Sequence, residues 1–374
     1  MKLILLLLLG IPLTGLYAGA LSWQSAMDIF TSQSQTRATH AVLTQNSGAK
    51  QPVLSKYLES LLFMVITESR GIDAEQEIWP GFHISGYPML LHRTDEVAIL
   101  IGHPQPPDDF KPYYIKGINK AAPVYIKEGG LPSAPCLDFD YDINGTKTLV
   151  YRIRDNLTQR DAFGNVIHER FHVYQHSMES LSAMLANSAA YSYKYPLYDH
   201  KNLALAQLEQ YTLAETLDSL DSNDLKEKLK DFMAVRLTRY KRYGQPAVMI
   251  ETSEEWREGM AEYVDYKAQD HAYKNKASIA EIQKRLNTGL QLDQMLAWRY
   301  YATGAALGYI LDKVYDDQWK ARVQKGETPW QILSEIEPLN IAQRSRRLLK
   351  TKIKFDFINI LWKSQRKVKN SKNR

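Results

Sequence analysis

The sequence contains little cysteine and few long apolar runs, and both features limit the classes of protein to which it can belong. Cys136 is the single cysteine, so no internal disulfide framework is available. No second cysteine or nearby histidine accompanies it, and we interpret Cys136 as a packed thiol rather than a metal ligand or a reactive group. A chain of 374 residues can bury a sizeable core without cross-links.

The one pronounced apolar run lies at the amino end. It extends from Leu3 to Tyr17, follows Lys2 and precedes the small-residue triplet Ala18-Gly19-Ala20. The run is shorter than the ~20 residues that a spanning helix needs, and this order of basic, apolar and small residues is typical of a secretory signal peptide. We predict a signal peptide over residues 1–20, with an uncleaved anchor as the alternative. The mature chain would be exported, periplasmic or secreted, without stable membrane insertion.

A large excess of either charge is also missing. The formal net charge is +5, and much of it comes from a basic carboxyl-terminal segment, residues 346–374. We expect the end of this segment, Lys363–Arg374, to be frayed and solvated. No module that combines a basic patch with interleaved aromatic residues is visible, so we predict no nucleic-acid partner.

Two parts of different composition follow the apolar run. Residues 21–157 alternate short apolar runs with proline- and glycine-containing turns, and Glu96–Ile101 is the most strand-like of these runs. One helix is predicted in this part, over Leu54–Glu68. Residues 158–345 show helical spacing, and this order of sheet first and helices second predicts an α+β fold. The further helices predicted are 203–220, 225–243, 248–273, 279–286, 292–315 and 330–336.

The segment from Asp138 to Ile153 has two interpretations. Asp140, Asp142 and Asn144 fit the first half of a calcium-binding loop, yet Tyr151 occupies the position of its closing glutamate. Strict alternation of aspartate with apolar residues before Asn144-Gly145 favours a β-hairpin with a type I′ turn instead. We predict the hairpin.

Two histidines one helical turn apart form the most informative pattern, His168-Glu169-Arg170-Phe171-His172. Thr158 and Asp161 predict a capped start for the helix that carries them. Positions i and i+4 lie about 6 Å apart on one helix face, so both imidazoles can reach one Zn²⁺ ion. Glu169 cannot join them as a ligand, but it can take a proton from a metal-activated water and is the candidate general base.

A hydrolytic zinc site needs a third protein ligand and one open position. His176 is unsuitable, because eight helical residues place it about 12 Å along the axis from His168. Glu258 is our third ligand, since the following Gly259 would let its helix closely approach the histidine helix. Glu262, one turn later, could accept a hydrogen bond from the non-ligating nitrogen of one histidine. These glutamates belong to a carboxylate stripe, for which a solvated helix face is the alternative interpretation: Glu251, Glu255, Glu258, Glu262 and Asp265.

These patterns together resemble the gluzincin metallopeptidases of the thermolysin-like, peptidase MA superfamily. The resemblance covers about residues 151–315 and depends on three segments: His168–His172, Glu258–Tyr263 and Tyr300–Ala306. It implies one zinc ion held by His168, His172 and Glu258, with Glu262 holding a histidine. It departs from the family in a longer gap between the two metal-binding helices and in glutamate where aspartate is commoner at position 262. It also implies a sheet whose edge strand aligns an extended peptide, with the hairpin that ends in Thr148–Ile153 as the counterpart.

The function implied is hydrolysis of peptide bonds in a peptide or protein substrate. Glu169 would act as the general base, and Tyr301 is the candidate donor to the developing oxyanion, with Tyr300, Tyr263 and His271 behind it. Glu251, Glu254 or Glu255 could bind a substrate amine in an exopeptidase. Two other classes stay open: a zinc hydrolase acting on an ester or a non-peptide amide, and a non-catalytic exported binding protein.

Overall fold

A computed structural model describes residues 52–372, apart from 76–77, 94–95, 116–117, 119–121, 132–138, 155, 317 and 337. The predicted signal peptide and Cys136 lie outside the described residues. The described chain confirms the α+β prediction, because a six-stranded sheet is followed by a mostly helical part.

The sheet is mixed, with the strand order β3-β4-β2-β1-β6-β5. The pair β1 and β6 is parallel and all other pairs are antiparallel. One face packs an apolar cluster that includes Leu90, Leu100 and Val150. The strands are β1 (Met89–Arg93), β2 (Val97–Ile101), β3 (Lys111–Pro112), β4 (Val124–Glu128), β5 (Phe139–Ile143) and β6 (Thr146–Arg152).

The predicted hairpin is confirmed. Its turn residues Asn144 and Gly145 have φ values of 46° and 77°, the two positive angles that a type I′ turn requires. The Asp142 carboxylate accepts a hydrogen bond of 2.7 Å from the Gly145 amide, which gives that aspartate a role in the turn. The hairpin lies at one end of the described sheet: β5 is the strand at that edge, and β6 lies between β1 and β5.

Helices account for most of the rest of the described chain. The predicted helix over Leu54–Glu68 begins at Lys56 and continues to Glu75, with a π-helical turn, Met64–Glu68, between α1 (Lys56–Phe63) and α2 (Ser69–Glu75). The helices that follow are α3 (Gln159–Gln175), α4 (Glu179–Ala189), α5 (His200–Asp218), α6 (Leu225–Tyr243), α7 (Gln245–Glu254), α8 (Met260–Ala272), α9 (Ala277–Asn287), α10 (Arg299–Val314), α11 (Gln318–Gln324), α12 (Pro329–Ile336), α13 (Ile341–Lys354) and α14 (Phe357–Lys372).

Two sequence predictions need correction here. The continuous helix predicted over 248–273 is interrupted by a π-helical turn, Glu255–Gly259, between α7 and α8. The frayed end predicted from Lys363 is also wrong, because α14 continues to Lys372 and buries Ile360, Ser364 and Val368. Apolar side chains at helical spacing fold this segment onto α5 and outweigh its charge.

The described chain forms two compact units, one ending at Val173 and the other beginning at Tyr174. The first holds the sheet, α1, α2 and most of α3; the second holds the remaining helices. None of the described helices combines the length and apolar character that crossing a bilayer requires.

Helices in the second unit pack closely where Gly259 meets Gly304 of α10. A Cβ at Gly304 would come within 2.6 Å of the Glu255 carbonyl oxygen, and one at Gly259 within 2.8 Å of the Tyr300 carbonyl oxygen. The small residues beside Glu258 therefore allow α10 to pack closely against this segment. The sequence interpretation had assigned this close approach to the histidine helix.

We expect Gly304→Ala to destabilise the second unit, because the added methyl group must displace backbone rather than a flexible side chain. Overpacking of this kind costs about 1–3 kcal/mol. Urea unfolding followed by circular dichroism measures the loss. Gly71→Ala is the matched control: its Cβ meets nothing within 4 Å, so helix propensity should make it neutral or slightly stabilising. Equal midpoints for the two variants would contradict the packing argument.

Candidate metal centre

The two histidines of α3 face each other across one helical turn. The Nε2 atoms of His168 and His172 lie 3.0 Å apart, and the ring planes are nearly perpendicular, at 83°. His168 is buried and His172 is half-buried. Two nitrogen ligands about 2.0–2.1 Å from a tetrahedral zinc ion lie about 3.3 Å from each other, so the observed spacing suits a shared ion.

Local contacts in the first unit fix the orientation of α3. The Thr158 hydroxyl caps the helix by accepting a hydrogen bond from the Asp161 amide, as predicted. Phe171 packs edge-to-face on Trp79 and on Phe82, with ring centroids 5.1 Å away in both pairs. Arg170 donates to the Tyr87 carbonyl. Arg170 and Phe171, which lie between the two histidines in the sequence, therefore anchor α3 to the rest of the first unit.

The last turn of α3 is bonded to the π-helical turn Glu255–Gly259. The Gln175 side-chain amide donates to the carbonyl oxygens of Trp256 and Arg257, at 3.0 and 3.1 Å. A π-helical turn disturbs the regular i to i+4 ladder and frees carbonyls for such donors. Gln175 thus binds the two residues that directly precede Glu258.

The predicted ligands are divided between the two units. His168 and His172 lie on α3 in the first unit, and Glu258, Glu262 and Asp265 lie in the second unit. All three acidic residues are buried.

Glu258 is a buried carboxylate whose charge is partly balanced by its neighbour. Arg257 lies 2.7 Å from one Glu258 oxygen and 2.7 Å from Glu254. Burial lowers the pKa of Arg257, and the two carboxylates more than reverse this effect, so the guanidinium stays charged. An arginine on one oxygen still permits monodentate binding of a metal ion through the other.

Glu262 is also paired with an arginine. Its carboxylate pairs with Arg285, which also donates to the Tyr266 hydroxyl at 3.0 Å. Asp265 accepts a hydrogen bond of 2.6 Å from the Gln269 amide. Glu258 and Glu262 are thus both paired with an arginine, so this pairing alone does not distinguish a metal ligand from an acceptor behind a ligand. The role predicted for Glu262 stays a prediction.

The other predicted site residues have distinct surroundings. Glu169 is half-buried on α3. Tyr301 is half-buried, with its ring stacked on Trp298 at 5.7 Å and the Arg285 guanidinium 5.9 Å from the ring. Tyr300 donates to the Met295 carbonyl at 2.7 Å and is fully buried, so it belongs to the core.

Tyr263 and His176 were also considered from the sequence. The Tyr263 hydroxyl binds Asp312, at 2.8 and 3.0 Å to its two oxygens. His176 is exposed and follows the last residue of α3, consistent with its rejection as a metal ligand.

The carboxylate stripe is not a solvated face. Glu251 and Glu255 are completely buried in a network of charges: Arg236 binds Glu255 and Glu209, Arg239 binds Glu209 and Glu251, and Arg299 lies 2.6 Å from Glu251. The arginines lower the pKa of Glu251 to about 2 against the opposing effect of burial. The suggestion that Glu251 or Glu255 could bind a substrate amine is therefore wrong, because both carboxylates are held by arginine.

Sequence reasoning missed Arg257 and Arg285 as neighbours of the predicted ligands. Arg257 stands directly before Glu258, so its presence was readable but its contact was not. Arg285 lies 23 residues from Glu262 on α9, and no local pattern connects them. Glu254 also has a special environment: it is buried, one oxygen binds Arg257, and the other has no hydrogen-bond partner among the described residues.

Burial raises the pKa of Glu254 to about 7, above its usual value of 4.5. The folded state then keeps this proton between about pH 4.5 and 7 while the unfolded state releases it, so stability falls as pH rises through that window. Because glutamine does not titrate, we expect Glu254→Gln to remove this pH-dependent loss in the free energy of unfolding, which is on the order of 3 kcal/mol. Urea unfolding of metal-free protein at pH 5 to 8 tests this, with Glu281→Gln on the surface as the control. Parallel curves for wild type and Glu254→Gln would contradict it.

Comparison with known proteins adds no relative. No family model, curated protein or solved structure matches the chain.

Proposed function

We propose that this chain is an exported zinc-dependent metallopeptidase. The observation that carries the proposal is the pair of His168 and His172, whose Nε2 atoms lie 3.0 Å apart, with Glu169 next to the first histidine. Glu258 is the proposed third ligand. Two imidazoles and one carboxylate are the donor set of many hydrolytic zinc sites, and three protein ligands leave a fourth position open.

The donor chemistry fits zinc. Imidazole and carboxylate ligands are common for Zn²⁺, whereas magnesium and calcium prefer oxygen ligands throughout. When bound, the ion would supply a Lewis acid that polarises the scissile carbonyl and lowers the pKa of a water molecule. The 3.0 Å separation of the Nε2 atoms supports this assignment, because two adjacent zinc ligands require a similar distance.

The roles of the protein residues follow from their chemistry. Glu169 removes a proton from the attacking water and delivers it to the leaving amine. The Tyr301 hydroxyl donates a hydrogen bond to the oxygen that gains negative charge. Arg257 holds one Glu258 oxygen and so fixes the direction in which the other points. Glu262, balanced by Arg285, orients a histidine by accepting from its second ring nitrogen.

We expect Glu169→Gln to lose at least about 100-fold in kcat, because the amide cannot accept the proton while the side-chain shape is kept. A broad peptide library read by mass spectrometry measures cleavage. Zinc content and the circular dichroism spectrum should match those of wild type. Full activity in this variant would refute the role of Glu169.

The same library separates the peptidase from its alternatives. A zinc-containing protein that cleaves no peptide but hydrolyses an ester or a non-peptide amide would move the proposal to that substrate class. A protein with no stoichiometric zinc would instead favour a binding function.

A second prediction distinguishes the two candidate carboxylate ligands, Glu258 and Glu262. We expect Glu258→Ala to abolish stoichiometric zinc binding, since a ligand is removed. Glu262→Ala should weaken zinc affinity by about 10- to 100-fold, as loss of a hydrogen-bond acceptor behind a ligand does. Zinc titration monitored with a competing chelator measures both affinities. The reverse order of the two effects would make Glu262 the ligand.

A further inference from the structure

The carboxyl-terminal helices α13 and α14 carry a charge that the rest of the chain does not share. Residues 341–374 contain twelve lysines and arginines against one acidic residue, Asp356, a formal charge of +11. Since the whole chain has a net charge of +5, residues 1–340 are net negative, at −6. The cationic character of the protein therefore resides in these two helices.

Part of this charge attaches the helices to the second unit. Arg347 of α13 pairs with Glu227 and Asp231 of α6, at 2.7 and 2.6 Å. Lys354 pairs with Glu215 of α5. Apolar contacts complete the attachment, because Ile360 packs against Ala204, Leu208 and Val235. The inner faces of both helices are thus satisfied by the body of the protein.

The outer faces combine large apolar side chains with unpaired cations. The exposed fractions are 61% for Leu349, 73% for Ile353, 82% for Ile358 and 55% for Trp362. Ile353 and Ile358 stand on either side of the turn that joins the helices. Several exposed cations beside them have no acidic partner within ion-pair distance among the described residues: Arg346, Lys363, Arg366, Lys369 and Lys372.

We propose that this outer face, defined by Leu349, Ile353, Ile358, Trp362 and the cations beside them, binds the surface of an anionic lipid bilayer. Helices that lie in a membrane interface insert apolar side chains between the headgroups while lysine and arginine side chains contact the lipid phosphates. Tryptophan favours this interfacial position. The Arg366 guanidinium lies 4.8 Å from the centre of the Trp362 ring, which brings a cation and an apolar anchor together.

The aliphatic side chains favour a bilayer over a nucleic acid. Nucleic-acid surfaces recruit cations, hydrogen-bond donors and stacking rings, and exposed isoleucine and leucine gain nothing from phosphate or sugar. An acidic protein would also satisfy the cations. However, the uncompensated lysines and arginines around the apolar side chains match a diffuse anionic surface better than a patterned one. This inference is independent of the proposed hydrolase.

Sedimentation with vesicles tests the proposal, using the chain from Leu21 so that the amino-terminal apolar run does not contribute. We expect binding to vesicles of equal phosphatidylglycerol and phosphatidylcholine, and little binding to phosphatidylcholine alone. Binding should weaken at least about tenfold between ~50 mM and ~500 mM salt, because counterions screen the lysines and arginines.

Paired variants separate the apolar and ionic contributions. Ile358→Ser with Trp362→Ser should weaken vesicle binding about tenfold or more, since two interfacial anchors are lost. Tyr193→Ser with Tyr198→Ser is the control, because it removes two exposed aromatic side chains elsewhere, 69% and 53% exposed, and should bind as wild type. Unchanged thermal unfolding shows that the variants fold.

Three results would overturn the proposal. The first is equal vesicle binding by wild type and Ile358→Ser with Trp362→Ser. The second is tighter binding to a duplex oligonucleotide than to anionic vesicles. The third is a dimer, detected by analytical ultracentrifugation, that the serine pair dissociates, because a second copy of the chain would then cover this face.

Discussion

The hydrogen bonds from the Gln175 side chain to the carbonyls of Trp256 and Arg257 join the end of α3 to the π-helical turn that carries Glu258. Two carboxylates lie in that turn, Glu255 and Glu258, and only Glu258 is a predicted ligand. Both carbonyls directly precede Glu258, so the Gln175 amide limits where the Glu258 backbone can lie within the second unit. A buried amide that donates twice is costly to displace, because both carbonyls would lose their partner.

The π-helical turn itself depends on buried charge. Glu255 opens the turn and is bound by Arg236, while Glu251, one helical turn earlier, is bound by Arg239. Three arginines and three glutamates balance one another in this buried network. Replacing such a network with apolar residues is often neutral for stability, but removing one member leaves an uncompensated charge. In this chain the network fixes the rotation of the helical segment that precedes Glu258, because the carboxylates of Glu251 and Glu255 are both held by arginines.

Much of the fold was readable from local patterns, and the failures have physical causes. The helix over residues 225–243 was predicted with matching limits, and the turn of the hairpin was predicted at Asn144-Gly145. Gly244 and Gly145 both adopt the positive φ angles that such ends and turns need. The π-helical turn was not readable, since one extra residue per turn leaves a 3.6-residue pattern almost unchanged on either side. The burial of Glu251 was likewise hidden, because its partners Arg239 and Arg299 lie 12 and 48 residues away. For the site, local spacing predicted the histidine pair, whereas the arginines that surround the glutamates depend on tertiary packing.

Charge is used in two contrasting ways along this chain. In the interior of the second unit each arginine faces a carboxylate, and the field of the pair decays within a short distance. On the outer faces of α13 and α14 the cations have no such partners among the residues that the structure describes, so their fields add and extend over a Debye length of about 8–10 Å. The acidic side chains that could have neutralised them, Glu215, Glu227 and Asp231, instead pair with Arg347 and Lys354 at the inner faces. The buried ion pairs fix the geometry of the interior of the second unit. The exposed cations of α13 and α14 instead give these helices a surface that attracts anions.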